Sequence, residues 1–280
     1  TRYGTVTGVQ TCALPIFSVD HMVVTGIGDD SVDGTDGYRG FMQFIVGQQR
    51  GDAADNGMEL SNDGEEADRS PKSTAVIANA TMIGAGFGSG ENTLSTFNGD
   101  RGVQFREGSH YRVYNSIFTG FGDAGFCVEN ASTVTAADAR LGGATDPQTT
   151  LSIEGSVVWN NAVADGGDDN FEGCSGYSTA ENKTFFETAG FNNVVADPLL
   201  RTGYDDIGTM MSPPDIVASD LPAGYTPFDL TSVTLDDVNL FAPADGRTLV
   251  DTNYPGAVAP GTADRKSTRL NSSHSSVSRM

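Results

Sequence analysis

The chain has 280 residues with 37 acidic and 16 basic side chains, giving a formal net charge of −21. A surface so rich in carboxylates repels phosphate backbones and acidic membrane faces, so nucleic-acid partners are not expected. No apolar run approaches the ~20 residues needed to cross a bilayer, so this segment is not expected to act as a transporter or channel.

In chain order, the first and last stretches stand apart from what lies between them. Val6–Ile16 and Asp264–His274 resemble translated sequencing-library adapters, and neither fits the repeat described below. Residues 1–16 and 264–280 are therefore read as an artefactual leader and tail around an internal fragment, and Cys12 and His274 are set aside as site candidates. Arg2, Arg265, Lys266, Arg269 and Arg279 all fall in these ends, so the interior is more acidic still. The expected division is a repeat over 17–196 and an irregular segment over 197–263.

Within the repeat, an aspartate stands three residues before an apolar anchor in five copies: Asp29 before Val32, Asp55 before Met58, Asp100 before Val103, Asp123 before Phe126 and Asp168 before Phe171. A constant register over five copies points to a solenoid in which each copy is one coil. A second motif alternates with it, apolar-x-apolar followed by a small or polar residue: Met22–Gly26, Gln43–Gly47, Ala80–Gly84, Ser116–Gly120 and Ser156–Asn160. Its first step is read as Val24 to Val46. Polar inserts such as Leu60–Ser73 and Ala136–Gln148 belong on loops at the corners. Short strands rich in Val, Ile, Phe and Thr, broken by Gly, Asn and Asp, predict an all-β, right-handed parallel β-helix of about five coils. A doubly wound α/β fold would need helices of ten or more residues between strands. Ala131–Leu141 alone offers a weak helical pattern.

Cys127 follows Phe126 by one residue and Cys174 follows Phe171 by three. In a stack they lie on neighbouring coils about 4.8 Å apart along the axis, plus a diagonal offset. A disulfide there is close to allowed geometry and would suit an extracellular or periplasmic protein, whereas a slip of one residue would leave two unrelated thiols.

Stacked aspartates about 5 Å apart repel by roughly 0.8 kcal/mol in water and roughly 3 kcal/mol at an effective dielectric of 20, so something must offset them. One answer is structural, an Asx-turn at the entry to each strand. The other is a cation, favoured where further carboxylates crowd the same corner. Asp29, Asp30, Asp33 and Asp36 face Asp52, Asp55 and Glu59 of the next coil, and Asp165, Asp168, Asp169 and Glu172 follow further along. Calcium accepts such oxygen-only ligands, although the spacing matches no EF-hand loop.

Gly28–Asp33, Gly37–Gly40, Gln43–Arg50, Gly102–Glu107, Asn115–Gly120 and Asp251–Val258 together resemble a group of bacterial surface-exposed β-helix proteins, often secreted proteins or lipoproteins. The resemblance covers most of 18–262 and implies the pectate-lyase-like fold and an extracellular or outer-membrane address. It supplies no reaction and no catalytic residues. Relatives tend to carry Trp near two positions where this chain has Gly34 and Tyr38.

Gly28-Asp29-Asp30-Ser31 is also similar to the paired-aspartate motif of polygalacturonase-type glycoside hydrolases. Inverting hydrolysis needs one carboxyl as acid and another to activate water, roles open to Asp29 and Asp30. The Gly-His-Gly and Arg-x-Lys of that family are missing, and neither His21 nor His110 is flanked by glycine. A lyase would need a basic residue beside calcium, for which Arg106 and Arg112 qualify by type.

Gly84–Gly90 imitates a dinucleotide fingerprint without the helix that would complete it. Tyr111, Tyr114, Trp159, Phe185 and Phe186 would form a sugar-stacking platform if exposed, or a stacked interior if not. The Pro-rich stretch from Asp197 is expected to fold back along the coils or cover an open end. The function these features favour is a non-catalytic extracellular or cell-surface scaffold or binding module for polysaccharide or surface components, assisted by calcium. A polysaccharide-degrading enzyme using Asp29 and Asp30 is the alternative.

Overall fold

The five anchors stand directly above one another. In this computed structural model, residues 18–49, 54–84, 100–161, 170–201, 215–233 and 248–261 are described. One parallel sheet contains β2 (Val32–Gly34), β4 (Met58–Ser61), β6 (Arg101–Arg106) and β9 (Ala124–Val128) in that order. Its register pairs Val32 with Met58, Met58 with Val103 and Val103 with Phe126, and a single bridge carries Phe126 on to Phe171. All five anchors are buried.

A second parallel sheet carries the alternating motif. It runs β1 (Val19–Ile27), β3 (Phe41–Gln49), β5 (Val76–Ile83), β8 (Ile117–Thr119), β11 (Val157–Trp159) and β12 (Val194–Val195). The short strands β7 (Arg112–Tyr114) and β10 (Ser152–Glu154) continue the first half of β5 onto later coils. The chain visits the two sheets alternately, so the fold is the parallel β-helix that the repeat predicted, all-β among the described residues apart from two short helices and a 3-10 turn at Leu230–Ser232. Inward positions of both sheets, among them Met58, Val103, Phe126, Ile77, Met82, Val113 and Phe118, fill one core. Each such side chain contributes about 1.5–3 kcal/mol through burial.

The sequence register of the second motif needs correction at its start. Val23, not Val24, faces Val46, and Val24 faces Gly47, which in turn faces Met82. Gly47 is there for space: a Cβ on it would run into the Met82 sulfur.

The long strands bend at one level of every coil. His21, Phe44, Asn79, Asn115, Gly155 and Asn192 lie in register and all have positive φ, between 48° and 60°. Asparagine tolerates this left-handed conformation better than other side chains. On its outer side the bend is clasped by the C-terminal segment. Asn79 Nδ2 donates to Thr252 Oγ1 at 2.8 Å, Asn115 Nδ2 donates to Phe228 O at 2.9 Å, and Asn115 Oδ1 accepts from Phe228 N at 2.7 Å. Gln43 exchanges two hydrogen bonds with the backbone of Val250. Phe228, Leu230 and Leu249 lie over Phe41, Val76, Ala78 and Tyr114, so β5 is buried on both faces. The strand pair β13 (Leu200–Arg201) and β14 (Asp215–Ala218) is antiparallel and belongs to this covering segment.

Two helices sit at corners. α1 (Ala131–Leu141) occupies the stretch with the weak helical pattern, directly after β9, and buries Thr133, Ala136 and Ala137. The insert expected as a loop over Ala136–Gln148 is thus helical in its first half, ending at Gly142. α2 (Thr179–Phe186) was not foreseen, although Ser178 and Glu181 form a complete capping box. Its Phe185 and Phe186 pack on Phe126 and Phe171, with ring centroids 5.5–5.8 Å apart. Among the described residues no helix is long and apolar enough to cross a membrane.

Candidate functional site

The aspartates three residues before the anchors form a row through backbone bonding. Asp100 N donates to Asp55 O at 2.9 Å and Asp123 N to Asp100 O at 2.8 Å. The register of Val32 on Met58 places Asp29 one rung before Asp55. Asp52, Asp165, Asp168 and Asp169 lie outside the described residues.

At Asp29, Asp55 and Asp123 the row is not built of Asx-turns. An Asx-turn needs the N–H two residues on, and here those donors bond the next rung. Ser31 N bonds Asn56 O, Gly57 N bonds Arg101 O and Gly125 N bonds Asn170 O, at 3.1, 2.7 and 2.9 Å. Asx-turns do occur, but at corners away from the row, at Asp146, Asp197 and Asp229.

At the far end of the row the repulsion is offset by an arginine. Arg101 Nη2 lies 3.2 Å from Glu172 and 3.6 Å from Asp123, and Nη1 lies 3.9 Å from Asp100. Sequence reasoning passed over this residue, although it is the only cation between an aspartate and its anchor in any of the five copies. Glu172 is thereby an ion-pair partner of Arg101. Burial nevertheless pushes the Asp123 carboxyl up to about 6, with Glu172 adding and Arg101 opposing.

At the near end, Asp29, Asp30 and Asp55 each offer a carboxylate oxygen, all within 4.8 Å of one another. Asp30 is buried and its Oδ1 accepts from Asn56 N at 2.7 Å. Burial, opposed by this bond and reinforced by Glu59 and Asp55, pushes its carboxyl up to about 7. Asp55 is pushed to about 6, first by burial and then by Asp100, Glu59 and Asp29, and it shares a hydrogen bond with Asp100.

The surroundings of this trio are rich in acceptors. Gln49 Nε2 donates to Asp55 O at 3.0 Å and Asn56 Nδ2 to Asp55 Oδ1 at 3.0 Å, while the buried amide oxygens Gln49 Oε1 and Asn56 Oδ1 find no donor. Calcium–oxygen distances of about 2.4 Å allow two ligands of one ion to be at most about 4.8 Å apart, so the three carboxylates fit a hard divalent cation.

Other predicted ligands are placed differently. Asp33 and Glu59 pair in register on the outer face of the sheet, one row along from the trio. Glu59 is held by Arg106 at 2.9 Å, and burial raises both carboxyls above their ordinary range. Asp36 is exposed beyond the end of β2. Arg106 is thus committed to Glu59 and Glu107, and Arg112 lies on the other sheet, so neither arginine stands where a lyase base beside the trio would. His110 is buried, with its imidazole pushed down to about 4 by burial, and His21 belongs to the bend, its ring 4.8 Å from that of Phe44.

Cys127, on the same outer row as Asp33 and Glu59, is joined to Cys174 by a disulfide with a Cα separation of 6.3 Å. Of the five aromatics considered as a platform, Tyr111, Tyr114, Phe185 and Phe186 are buried and only Trp159 is exposed, so they do not make a stacking surface. Residues 85–90 of the glycine-rich stretch lie outside the described residues.

A parallel β-helix carrying a carboxylate row at the entry to one sheet defines the class of protein. Residues 16–161 match the family described as the pectate-lyase like beta helix domain, and the chain belongs to that family. No curated protein and no solved structure matches it.

Proposed function

We propose that this β-helix is a non-catalytic extracellular or cell-surface binding module for polysaccharide, in which Asp29, Asp30 and Asp55 hold a calcium ion. The carrying observation is the trio of carboxylates within 4.8 Å of one another, bordered by buried amide oxygens that lack donors. A cation there would replace the proton that burial keeps on Asp30 and relieve the repulsion along the row. The Cys127–Cys174 disulfide supports an oxidising compartment.

Thermal unfolding of the full chain in chelator and in excess calcium tests the cation. The midpoint is expected to rise with calcium, more at pH 8 than at pH 5, where protons compete for the same oxygens. Equal midpoints at pH 8 would remove calcium from this reading.

One observation favours the enzymatic alternative. Asp30, pushed up to about 7 by burial, lies beside the exposed Asp29, and acid and base catalysis uses two carboxyls in unlike surroundings. Burial of Asp30 counts against it, since a general acid must reach its substrate. Release of reducing ends or unsaturated product from a glycan panel, lost in the double variant D29N/D30N, would favour the enzyme over the module.

A further inference from the structure

The triplet Asn-x-Ser/Thr, with x other than proline, is the acceptor for N-linked glycans in exported proteins. Among the described residues it occurs at Asn79-Ala80-Thr81, Asn130-Ala131-Ser132 and Asn182-Lys183-Thr184. The sugar is joined to Nδ2, so a folded chain tolerates it only where that nitrogen has no bond to keep inside the protein.

Two of the three asparagines are closed by their own hydrogen bonds. Asn79 is fully buried, and its Nδ2 donates to Thr252 Oγ1 at 2.8 Å and to Tyr254 O at 3.1 Å. Asn182 is fully buried as well, and its Nδ2 donates to Glu172 O at 2.7 Å and to Tyr177 O at 3.4 Å. A sugar on the first would unseat the covering segment. On the second it would push α2 off the chain that precedes it.

Asn130 is arranged the other way round. It is half-buried at the corner between β9 and α1, and its bonds run through Oδ1. That oxygen accepts from Glu107 N at 3.2 Å, Ser132 Oγ at 3.1 Å and Thr133 Oγ1 at 2.8 Å. Its Nδ2 makes no hydrogen bond among the described residues, so a substituent there leaves all three bonds in place. Ser132, whose hydroxyl completes the triplet, is half-buried too.

From this contrast we propose that Asn130 carries an N-linked glycan and that Asn79 and Asn182 do not. The inference rests on the exported, oxidising address argued above. The donor is an oligosaccharide held on a lipid diphosphate. Nδ2 forms a bond to the anomeric carbon, the bond from that carbon to the diphosphate oxygen breaks, the lipid diphosphate leaves with the electron pair, and the Nδ2 proton passes to a base of the transferase. Transfer onto the still extended chain meets all three triplets, and folding then retains only molecules whose buried nitrogens are bare.

The test is secretion of the full chain from a host whose secretory membrane holds such a transferase. Asn271 completes the same triplet in the tail, so it is replaced by Gln in every sample. Peptide N-glycosidase in heavy-oxygen water converts each glycosylated Asn into a labelled Asp, which peptide mass spectrometry locates. In the folded fraction the label is expected at Asn130 in most molecules and at Asn79 and Asn182 in none. Ser132→Ala is expected to abolish it at a nearly unchanged melting temperature, and Ser132→Thr to retain it. The same digest reads the Cys127–Cys174 disulfide. A bare Asn130 in disulfide-bonded protein would overturn the glycan alone, and a bare Asn130 with free thiols would overturn the exported address along with it. Label at Asn79 or Asn182 in folded protein would overturn the selection by burial.

Discussion

Two columns run up this β-helix, and they are solved in opposite ways. At the bend of the long sheet, Asn79 and Asn115 meet Thr252 and Phe228 of the covering segment, and the hydrogen bonds of the column are completed within the chain. At the entry to the other sheet, Asp29, Asp30 and Asp55 face one another, with no arginine bonded to them among the described residues. Amides are self-complementary because each carries both donor and acceptor. Carboxylates carry only acceptors, so winding the backbone through the same corner multiplies their repulsion. A repeated column therefore marks a structural seam when its chemistry closes on itself and a binding edge when it does not.

The comparison breaks first at Asn115. Replacing it with Ala forfeits both bonds to Phe228 and puts a side chain less tolerant of left-handed backbone in its place, and should cost about 2–4 kcal/mol in denaturant unfolding. Asn115→Gly restores the backbone freedom alone, so it should recover part of that loss. A cost below about 1 kcal/mol for Asn115→Ala would mean that the seam does not hold the covering segment.

The carboxylate edge should respond in the opposite direction. A carboxyl at about 7 in the fold, against an ordinary 3.8, holds its proton in the folded chain and releases it on unfolding. Its contribution is complete below about pH 4 and is lost as pH rises through 7. In chelator the melting temperature should therefore fall between pH 4 and pH 8, and Asp30→Asn should flatten that slope. At pH 8 the same substitution should stabilise the calcium-free protein by roughly 2–3 kcal/mol and weaken the response to calcium. If Asp30→Asn destabilises the protein at pH 8 in chelator, the charge on Asp30 is already compensated.

Arg101 offers the smallest and most selective probe, because it makes one end of the acidic row resemble the closed seam. Arg101→Gln should cost about 1 kcal/mol at pH 7, much less at pH 4 where Asp123 is protonated, and should be partly rescued by calcium. Equal losses at both pH values would assign Arg101 to packing instead of charge.

The architecture was legible because its signal is redundant. Five anchors at a fixed offset from an aspartate specify the first sheet, and Val32, Met58, Val103, Phe126 and Phe171 stack in that order. The bend of the long sheet was not legible, since His21, Phe44, Asn79, Asn115 and Gly155 share a backbone conformation without sharing a side chain. The first step of that sheet, read as Val24 to Val46, was also one residue off, since Val23 faces Val46. The trio Asp29, Asp30 and Asp55 could be named from sequence, but its separation from Asp33 and Glu59 could not. Alternate residues of a strand leave on opposite faces, and only the register says which. Arg101 was hidden by treating the residues between aspartate and anchor as spacers.

The clasp of the covering segment also decides how the molecule answers to force. Its bonds join residues 207, 173 and 113 positions apart, at Gln43, Asn79 and Asn115. A pull on the C-terminal side loads these clasps one after another, like a zipper. A pull across the coils loads whole ladders of backbone bonds in parallel shear. Tension from the C-terminal side would therefore peel the segment away while the rungs stayed wound, lifting Phe228 from Tyr114 and baring a face of the long sheet that is otherwise covered.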